Sequence, residues 1–139
     1  MKVPNLVSCG LSREFESGFY SDATRMMYAN IKIDKSEIEV MIRETWEYLC
    51  TENKSTHVLS HFLYLLAVEV EREWVKDISL EIIKYGLNYD DMEVIDETIR
   101  LIEEWHDKDI LDLLYNTEIK EDWLNDYKRE VLKDNDYFN

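Results

Sequence analysis

One continuous amphipathic stretch, residues 74–114, places the strongest constraint on the fold. Three groups of apolar residues recur in it with helical spacing: Ile78, Ile82 and Tyr85, then Ile95, Ile99 and Ile102, then Ile110, Leu111 and Leu114. Recurrence at i, i+3, i+4 and i+7 is typical of helices that bury one face. The connectors between the groups, 86–89 and 106–107, are so short that neighbouring helices must stack antiparallel. We therefore predict three consecutive helices that form hairpins.

The composition of the whole chain favours an all-α fold. Only 3 glycines and 1 proline occur among 139 residues, which is too few to punctuate a many-stranded sheet with tight turns. Hydrophobic residues make up 45% of the chain, enough to bury a core and to argue against disorder. We predict a single domain over residues 1–139 with about six to seven helices, an irregular segment at 1–18 and a frayed tail at 134–139.

The most apolar helix is predicted to lie at the centre of this domain. Ser55 or Thr56 is a good N-cap, and the helix would extend to about Glu71 through the run FLYLLAVEV. That run is apolar on nearly all faces, as expected of a core helix. The other boundary signals are an N-cap at Ser21 or Asp22 for a helix through Asn30, capping-box pairs at Asp34/Glu37 and Asp90/Glu93, a left-handed C′ glycine at Gly86, and a last helix from Thr117 or Glu118.

The spacing of these helices resembles that of HEAT-type helical solenoids. The apolar stripes around Ile82, Ile102 and Trp123 are about twenty residues apart, so a hairpin spans about forty residues, as in HEAT and armadillo repeats. The resemblance lies in LEIIKYGLNYDDMEVIDETIRLIEEWHDKDILDLL and extends over about 58–132, without the proline kink and Asp/Arg pattern of typical HEAT units. A short solenoid of stacked hairpins and a compact helical bundle are the two predicted architectures.

Negative charge is concentrated in the second half of the chain. The formal net charge is −15, and residues 69–139 carry 22 acidic against 9 basic side chains, a net charge of −13. Such a field repels nucleic acid and anionic membranes but attracts cationic surfaces and accelerates association with them. The charge therefore predicts a basic protein partner and no direct nucleic-acid binding, with improved solubility as the alternative explanation.

Motifs for catalysis, cofactors and metals are missing from the sequence. The pair His57 and His61 has the i, i+4 spacing of two metal ligands, but no third ligand is assured, so no metal site is predicted. Glu103 and Glu104 beside Trp105 could be drawn as a catalytic group, although a solvated helix end would have the same sequence. No nucleophile motif or glycine-rich phosphate loop occurs. We predict a protein that is not an enzyme and has no cofactor.

Aromatic and acidic residues alternate around the predicted turns, which suggests a binding surface. Tyrosine and tryptophan are common interface anchors, and carboxylates around them would complement a basic partner. We predict that these groups form a rim along one edge of the stack. The predicted partner-binding residues are the anchors Tyr89 and Trp105 and the carboxylates Asp90, Asp91, Glu93, Glu97, Asp107 and Asp109. Tyr89 and Tyr115 are expected to be the most exposed tyrosines of the turns.

In size, charge and helical pattern the chain resembles the small acidic immunity proteins that protect bacteria from toxins, some of which are helical and HEAT-like. The resemblance implies an inhibitor that covers the active site or substrate groove of a basic toxin, for example a nuclease. Two alternatives remain: a phage-type DNA mimic that blocks a host nucleic-acid enzyme, and an acidic scaffold subunit that self-associates. The oligomeric state and the binding face stay open.

The N-terminal sequence and the cysteines favour a cytoplasmic protein. The segment MKVPNLVSCGLSREF is too short in apolar residues for a signal peptide, and no run approaches the ~18 apolar residues of a membrane span. Cys9 and Cys50 have no metal or redox spacing, and Cys50 is expected to be a small buried side chain. A reducing compartment fits these features, although a disulfide between the two remains an alternative.

Overall fold

The computed structural model describes residues 35–51 and 55–138, and the described residues form an all-α structure with six α-helices. The predicted all-α fold class is therefore confirmed. The helices are α1 (Lys35–Thr51), α2 (Thr56–Glu69), α3 (Lys76–Leu87), α4 (Met92–Trp105), α5 (Lys108–Asn116) and α6 (Asp122–Asp134), with a 3-10 turn (Arg72–Val75) between α2 and α3. The irregular segment predicted at 1–18, the helix predicted at 22–30, and Asp34 lie outside the described residues.

Alternate helices pack side by side in two rows. The most extensive packing in the described structure joins α2 to α4, and α4 in turn packs against α6. In the other row α3 packs against α5. The consecutive pairs α3–α4, α4–α5 and α5–α6 are also in contact, so the short connectors link one row to the other. This arrangement is the one expected when helix hairpins stack in series.

Helix α2 lies at the centre of the core, as its all-round apolar sequence predicts. Phe62, Leu63, Leu65 and Leu66 are each at most 1% exposed. Burying a side chain of this size contributes roughly 1.5–3 kcal/mol relative to leaving it in water. The core of the domain is therefore built around this one helix, with α4 as its main partner.

Helix α1 packs against the 3-10 turn and also contacts α2 and α3 through Trp46. Its indole ring stacks on Phe62 of α2, with ring centroids 6.1 Å apart, and meets Tyr85 of α3 edge-on at 5.2 Å. The indole Nε1 donates a hydrogen bond of 2.9 Å to Glu81 Oε2. Cys50, near the end of the same helix, is exposed rather than buried as the sequence predicts.

The N-caps of the two central helices come from short polar side chains. Ser55 Oγ accepts from the Val58 N–H at 3.3 Å, which confirms the predicted start of α2. At α4 the N-cap is Asp91 rather than the predicted Asp90, because Asp91 Oδ1 accepts from the backbone N–H groups of Glu93 and Val94. A carboxylate at this position satisfies two first-turn donors and interacts favourably with the helix dipole.

Gly86 does not end its helix in a left-handed conformation, so this prediction is wrong. It lies inside α3, which continues to Leu87 and is capped by Asn88. A methyl group at Gly86 would sit 2.1 Å from Thr98 Oγ1, so glycine is required here by the close approach of α3 to α4. The left-handed residue of this region is His106, with φ 42°, and its N–H donates to the Ile102 carbonyl at the end of α4.

The C-terminal part of the chain differs from expectation in two ways. Helix α6 begins at Asp122, four to five residues later than predicted, because Thr117 is still the C-cap of α5 and Ile119, in the connection that follows, is buried. Residues 134–138 turn back instead of fraying. The Tyr137 N–H donates to the Leu132 carbonyl, and its hydroxyl donates to Asp112 Oδ1 at 2.7 Å.

Candidate functional site

The predicted acidic rim is divided between the two ends of α4. Asp90 and Asp91 precede this 14-residue helix, whereas Asp107 and Asp109 follow it. A helix of that length is about 20 Å long. The two groups of carboxylates therefore cannot line one edge of the stack, and this part of the prediction is wrong. In a stack of helix hairpins, consecutive turns lie at opposite ends of the helices. A turn therefore lies at the same end as the next turn but one along the chain.

Asp90 and Asp91 instead border a groove with the connection between α5 and α6. We call it the α3–α4 groove; its volume is about 600 Å³. It is lined by Leu87, Asn88, Tyr89, Asp90, Asp91, Met92, Ile95, Glu118, Ile119, Lys120 and Glu121. Four carboxylates and one lysine face an apolar surface made by five of these side chains. The groove therefore combines apolar side chains with a negatively charged border.

Met92 is the most exposed apolar side chain of the α3–α4 groove, and Tyr89 and Ile95 are partly buried. Met92, the first residue of α4, is 48% exposed. Tyr89 is half-buried and its ring lies 5.6 Å from that of Tyr85. A flexible thioether beside a partly buried aromatic ring can adapt to the side chains of a partner. Tyr115, expected in a turn, lies within α5 but is exposed. Its ring centroid lies 5.2 Å from that of Tyr137.

Sequence reasoning missed Met92, Glu118 and Glu121 as members of this groove. Glu118 and Glu121 were assigned to a last helix, whereas they belong to the connection that returns to the Asp90 end. The alternation of turns in a hairpin stack was the available signal, since it pairs the 88–91 turn with the 117–121 connection. Met92 was not singled out because a lone apolar residue at a helix start has no distinctive pattern.

At the opposite end of α4, Asp107 and Asp109 bind a buried arginine. The Arg72 guanidinium is held by both oxygens of Asp109, at 2.6 and 2.7 Å, and by Asp107 Oδ2 at 2.8 Å. Arg72 Nε also donates to Ser79 Oγ at 2.9 Å. Its hydrogen bonds raise the pKa of Arg72, and the same contact lowers the pKa of Asp109. These two carboxylates therefore hold the fold together, in addition to any role at the surface.

Trp105, which the sequence predicts as an interface anchor, is buried. It is 7% exposed, and its Nε1 donates a 3.0 Å hydrogen bond to the Val70 carbonyl at the end of α2. This bond satisfies the polar atom of a large side chain that is otherwise packed in the core. Trp105 therefore joins the ends of α2 and α4.

Glu93 lies in the first turn of α4, and Glu97 lies one turn further along the same helix. Glu93 Oε1 accepts from Ser60 Oγ at 2.9 Å and lies 3.6 Å from His57 Nδ1, both on α2. The Glu97 side chain is only 16% exposed and pairs with Arg100 at 3.3 Å. Burial raises the pKa of Glu97 and of its neighbour Asp96. The predicted binding residues are thus distributed over the two ends and the side of α4.

The two histidines of α2 stack on each other, with ring centroids of His57 and His61 4.1 Å apart. Within residues 35–51 and 55–138, no three His, Cys, Asp or Glu side chains are grouped closely enough to hold a metal ion. Tyr127 of α6 donates to Glu103 Oε1 at 2.9 Å, and burial together with this carboxylate raises the pKa of Tyr127. These polar contacts connect α2, α4 and α6 across one row.

Comparison of the chain with protein-family models, with curated proteins and with solved structures finds no match. In the part of the chain that the structure describes, none of the helices has the length and apolar character needed to cross a membrane. Function must therefore be argued from the surfaces themselves.

Proposed function

We propose that this protein is a non-enzymatic inhibitor that binds a basic protein partner, and specifically an immunity-type protein that neutralises a basic toxin such as a nuclease. The partner's active site or substrate groove would be covered by the negatively charged end of the helical stack. This proposal follows the predicted resemblance to small acidic immunity proteins, with a revised binding surface.

The α3–α4 groove carries the proposal. A protein that is acidic only for solubility has no need of an accessible apolar concavity, yet Met92 is half exposed inside a border of carboxylates. Protein interfaces combine an apolar centre, which supplies most of the binding energy, with a polar rim that excludes water. Asp90, Asp91, Glu118 and Glu121 would supply charge complementarity in that rim, and Met92 with Tyr89 would supply the apolar centre.

The pattern of carboxylates favours this proposal over a DNA mimic. A mimic needs exposed carboxylates that stand in for phosphates, whereas many carboxylates here are committed to contacts inside the protein. Asp91 caps α4, Asp109 binds Arg72, Glu81 accepts from Trp46 and Glu103 accepts from Tyr127. Recognition by one shaped groove suits a single cognate partner better than a general phosphate-like surface does.

The test is co-expression with proteins encoded beside this gene, followed by affinity purification at low and high salt. We expect one basic partner to be retained, with an association rate that falls as salt rises. The diagnostic variant is Asp90→Lys/Glu118→Lys, which reverses two exposed charges without removing the Asp91 cap. It should slow association at low salt by about tenfold or more.

The matched control is Glu47→Lys/Glu130→Lys, which makes the same change in charge at exposed positions of α1 and α6 outside the groove. We expect it to slow association much less. A second variant, Met92→Ala, should increase the dissociation rate while leaving salt dependence unchanged. Equal effects of the two charge variants, or purification of the protein without any basic partner, would contradict the proposal.

A further inference from the structure

A second groove lies at the end of α4 opposite the α3–α4 groove. We call it the α2–α4 groove; its volume is about 500 Å³. It is formed by the last turn of α2, the 3-10 turn and the end of α4. Its lining residues are Ala67, Val68, Glu69, Val70, Glu71, Arg72, Glu73, Trp74, Glu104, Trp105 and Asp107. Only Trp105 and Asp107 of these belong to the binding residues predicted from the sequence.

Negative charge predominates among the described residues that line the α2–α4 groove. Five carboxylates line it, from Glu69, Glu71, Glu73, Glu104 and Asp107, against the single guanidinium of Arg72. That guanidinium is 6% exposed and is already bonded to Asp107 and Asp109. Helices α2 and α4 also end here, so the negative ends of two helix dipoles point toward the same space.

Apolar and aromatic side chains line this groove together with the carboxylates. Val68 is 54% exposed although it belongs to the most apolar helix of the protein. Trp74 contributes a half-buried indole, and Trp105 forms part of the wall. A planar guanidinium can stack on an aromatic ring and donate paired hydrogen bonds to carboxylates, whereas a lysine ammonium is a strongly hydrated point charge.

We propose that the α2–α4 groove binds an arginine side chain of a partner protein. The aliphatic part of the arginine would pack on Val68 and Trp74, and the guanidinium would face the carboxylates of Glu71, Glu73 and Glu104. The inference rests on the proposed function only in that the same basic partner would supply the arginine. This end of α4 is thus a recognition site. Its carboxylates complement the charge of the guanidinium, and its apolar side chains contact the aliphatic part of the arginine.

The first experiment uses a blocked Gly-Arg-Gly peptide as the probe and the indole N–H resonances of the full-length protein as the readout. The chain has four tryptophans, of which Trp74 and Trp105 line the groove and Trp46 and Trp123 do not. We expect saturable shifts of the Trp74 and Trp105 signals, with Kd about 1 mM. The blocked Gly-Lys-Gly peptide should bind several-fold more weakly. Equal shifts of all four signals, no shifts, or equal affinity for the two peptides would overturn the inference.

Charge-neutral variants locate the binding within the molecule. Glu71→Gln/Glu73→Gln/Glu104→Gln changes three exposed side chains of the groove and should weaken the peptide by about tenfold. The matched control, Asp90→Asn/Glu118→Gln/Glu121→Gln, removes three charges from the α3–α4 groove and should leave affinity within about twofold. If the control weakens binding as much as the groove variant, the peptide is held by net charge alone and the inference is wrong.

The two proposals fail separately. If a basic partner is retained but the arginine peptide does not bind, only the arginine site is overturned. If the peptide binds at Trp74 and Trp105 but no basic partner is retained, the inhibitor function is overturned while the arginine site stands.

Discussion

Arg72 and Asp109 form a bidentate ion pair that joins the 3-10 turn after α2 to the first turn of α5. Both guanidinium NH groups reach Asp109, at 2.6 and 2.7 Å. The arginine is buried, whereas the Asp109 side chain is about half exposed. Paired N–H···O bonds of this kind fix geometry as well as charge. The pair therefore sets the position of the α4–α5 turn relative to the end of α2.

Replacing Asp109 by asparagine should destabilise the fold by about 1–3 kcal/mol. Asparagine offers one acceptor oxygen instead of two and has no charge, so the buried guanidinium would lose one hydrogen bond and its charge would be less well compensated. The measurement is urea unfolding at pH 7 with the slope checked against wild type. The control Asp107→Asn changes a carboxylate that makes a single bond to the guanidinium, and it should cost less. A smaller loss for Asp109→Asn than for Asp107→Asn would contradict this interpretation.

The same pair has a defined pH dependence. Because Arg72 lowers the pKa of Asp109, the folded state binds this proton less readily than the unfolded state does. The contribution of the pair is therefore present above the ordinary aspartate pKa of about 3.9 and is lost as pH falls through the lowered value. Solvent reduces its size because Asp109 is half exposed. Stability curves of wild type and Asp109→Asn should converge below pH 4.

Gly86→Ala should destabilise the protein by about 1–3 kcal/mol, although alanine is the better helix former. The added methyl group would lie 2.1 Å from Thr98 Oγ1, and Thr98 is fully buried with its hydroxyl bonded to the Val94 carbonyl. Thermal unfolding measures the loss. In the double variant Gly86→Ala/Thr98→Ala most of the stability should return, because the obstructing side chain is gone. Failure of this rescue would show that the backbone, rather than Thr98, excludes a side chain.

Glu97→Gln should stabilise the protein at pH 7. Burial raises the pKa of Glu97 more than Arg100 lowers it, so the charged form costs stability above the raised pKa. As pH falls from the raised value to the ordinary value of about 4.3, wild type regains this stability and glutamine does not. Denaturant unfolding at pH 7 and near pH 4 gives the comparison. Glu104→Gln, at an exposed position of the same helix, serves as the control, and a stabilising effect of equal size there would contradict the assignment.

His106→Gly should stabilise the protein by up to about 1 kcal/mol, since His106 ends α4 with a positive φ of 42°. Glycine also makes the unfolded chain more flexible, and this gain in the entropy of the unfolded state offsets part of the stabilisation. His106→Val should be destabilising, because a β-branched residue strongly resists this conformation. The melting temperatures of the three proteins test this explanation, and we expect them to fall in the order glycine, histidine, valine. Equal stability of the glycine and valine variants would exclude backbone strain as the cause.

Periodicity predicted the helices well because an amphipathic stripe is a local property of the chain. The stripes at Ile82, Ile102 and Ile110 identify α3, α4 and α5, and the all-round apolar run identifies the central α2. The positions of the helix caps could be predicted only to within a residue or more, because several neighbouring side chains can accept the same first-turn N–H groups. Asp90 and Asp91 illustrate this limit, since either could cap α4 by sequence and only Asp91 does.

The binding surfaces could be predicted only in part. The acidity of the second half was evident, and Tyr89, Asp90 and Asp91 do line a groove. Sequence proximity to a turn could not reveal which carboxylates are occupied by internal partners, because Arg72 lies 37 residues from Asp109. It also could not distinguish an exposed tryptophan from Trp105, whose Nε1 bonds to a carbonyl 35 residues away.

The sequence by itself determined the all-α class, the helix that forms the core and the sign of the surface charge, since each follows from composition or from spacing within one helix. The tertiary structure decided which carboxylates lie at each end of α4, which residues form the grooves there, and why position 86 requires glycine. These features arise where segments distant in sequence meet. Their physical cause is packing between helices, which no local pattern of residues encodes.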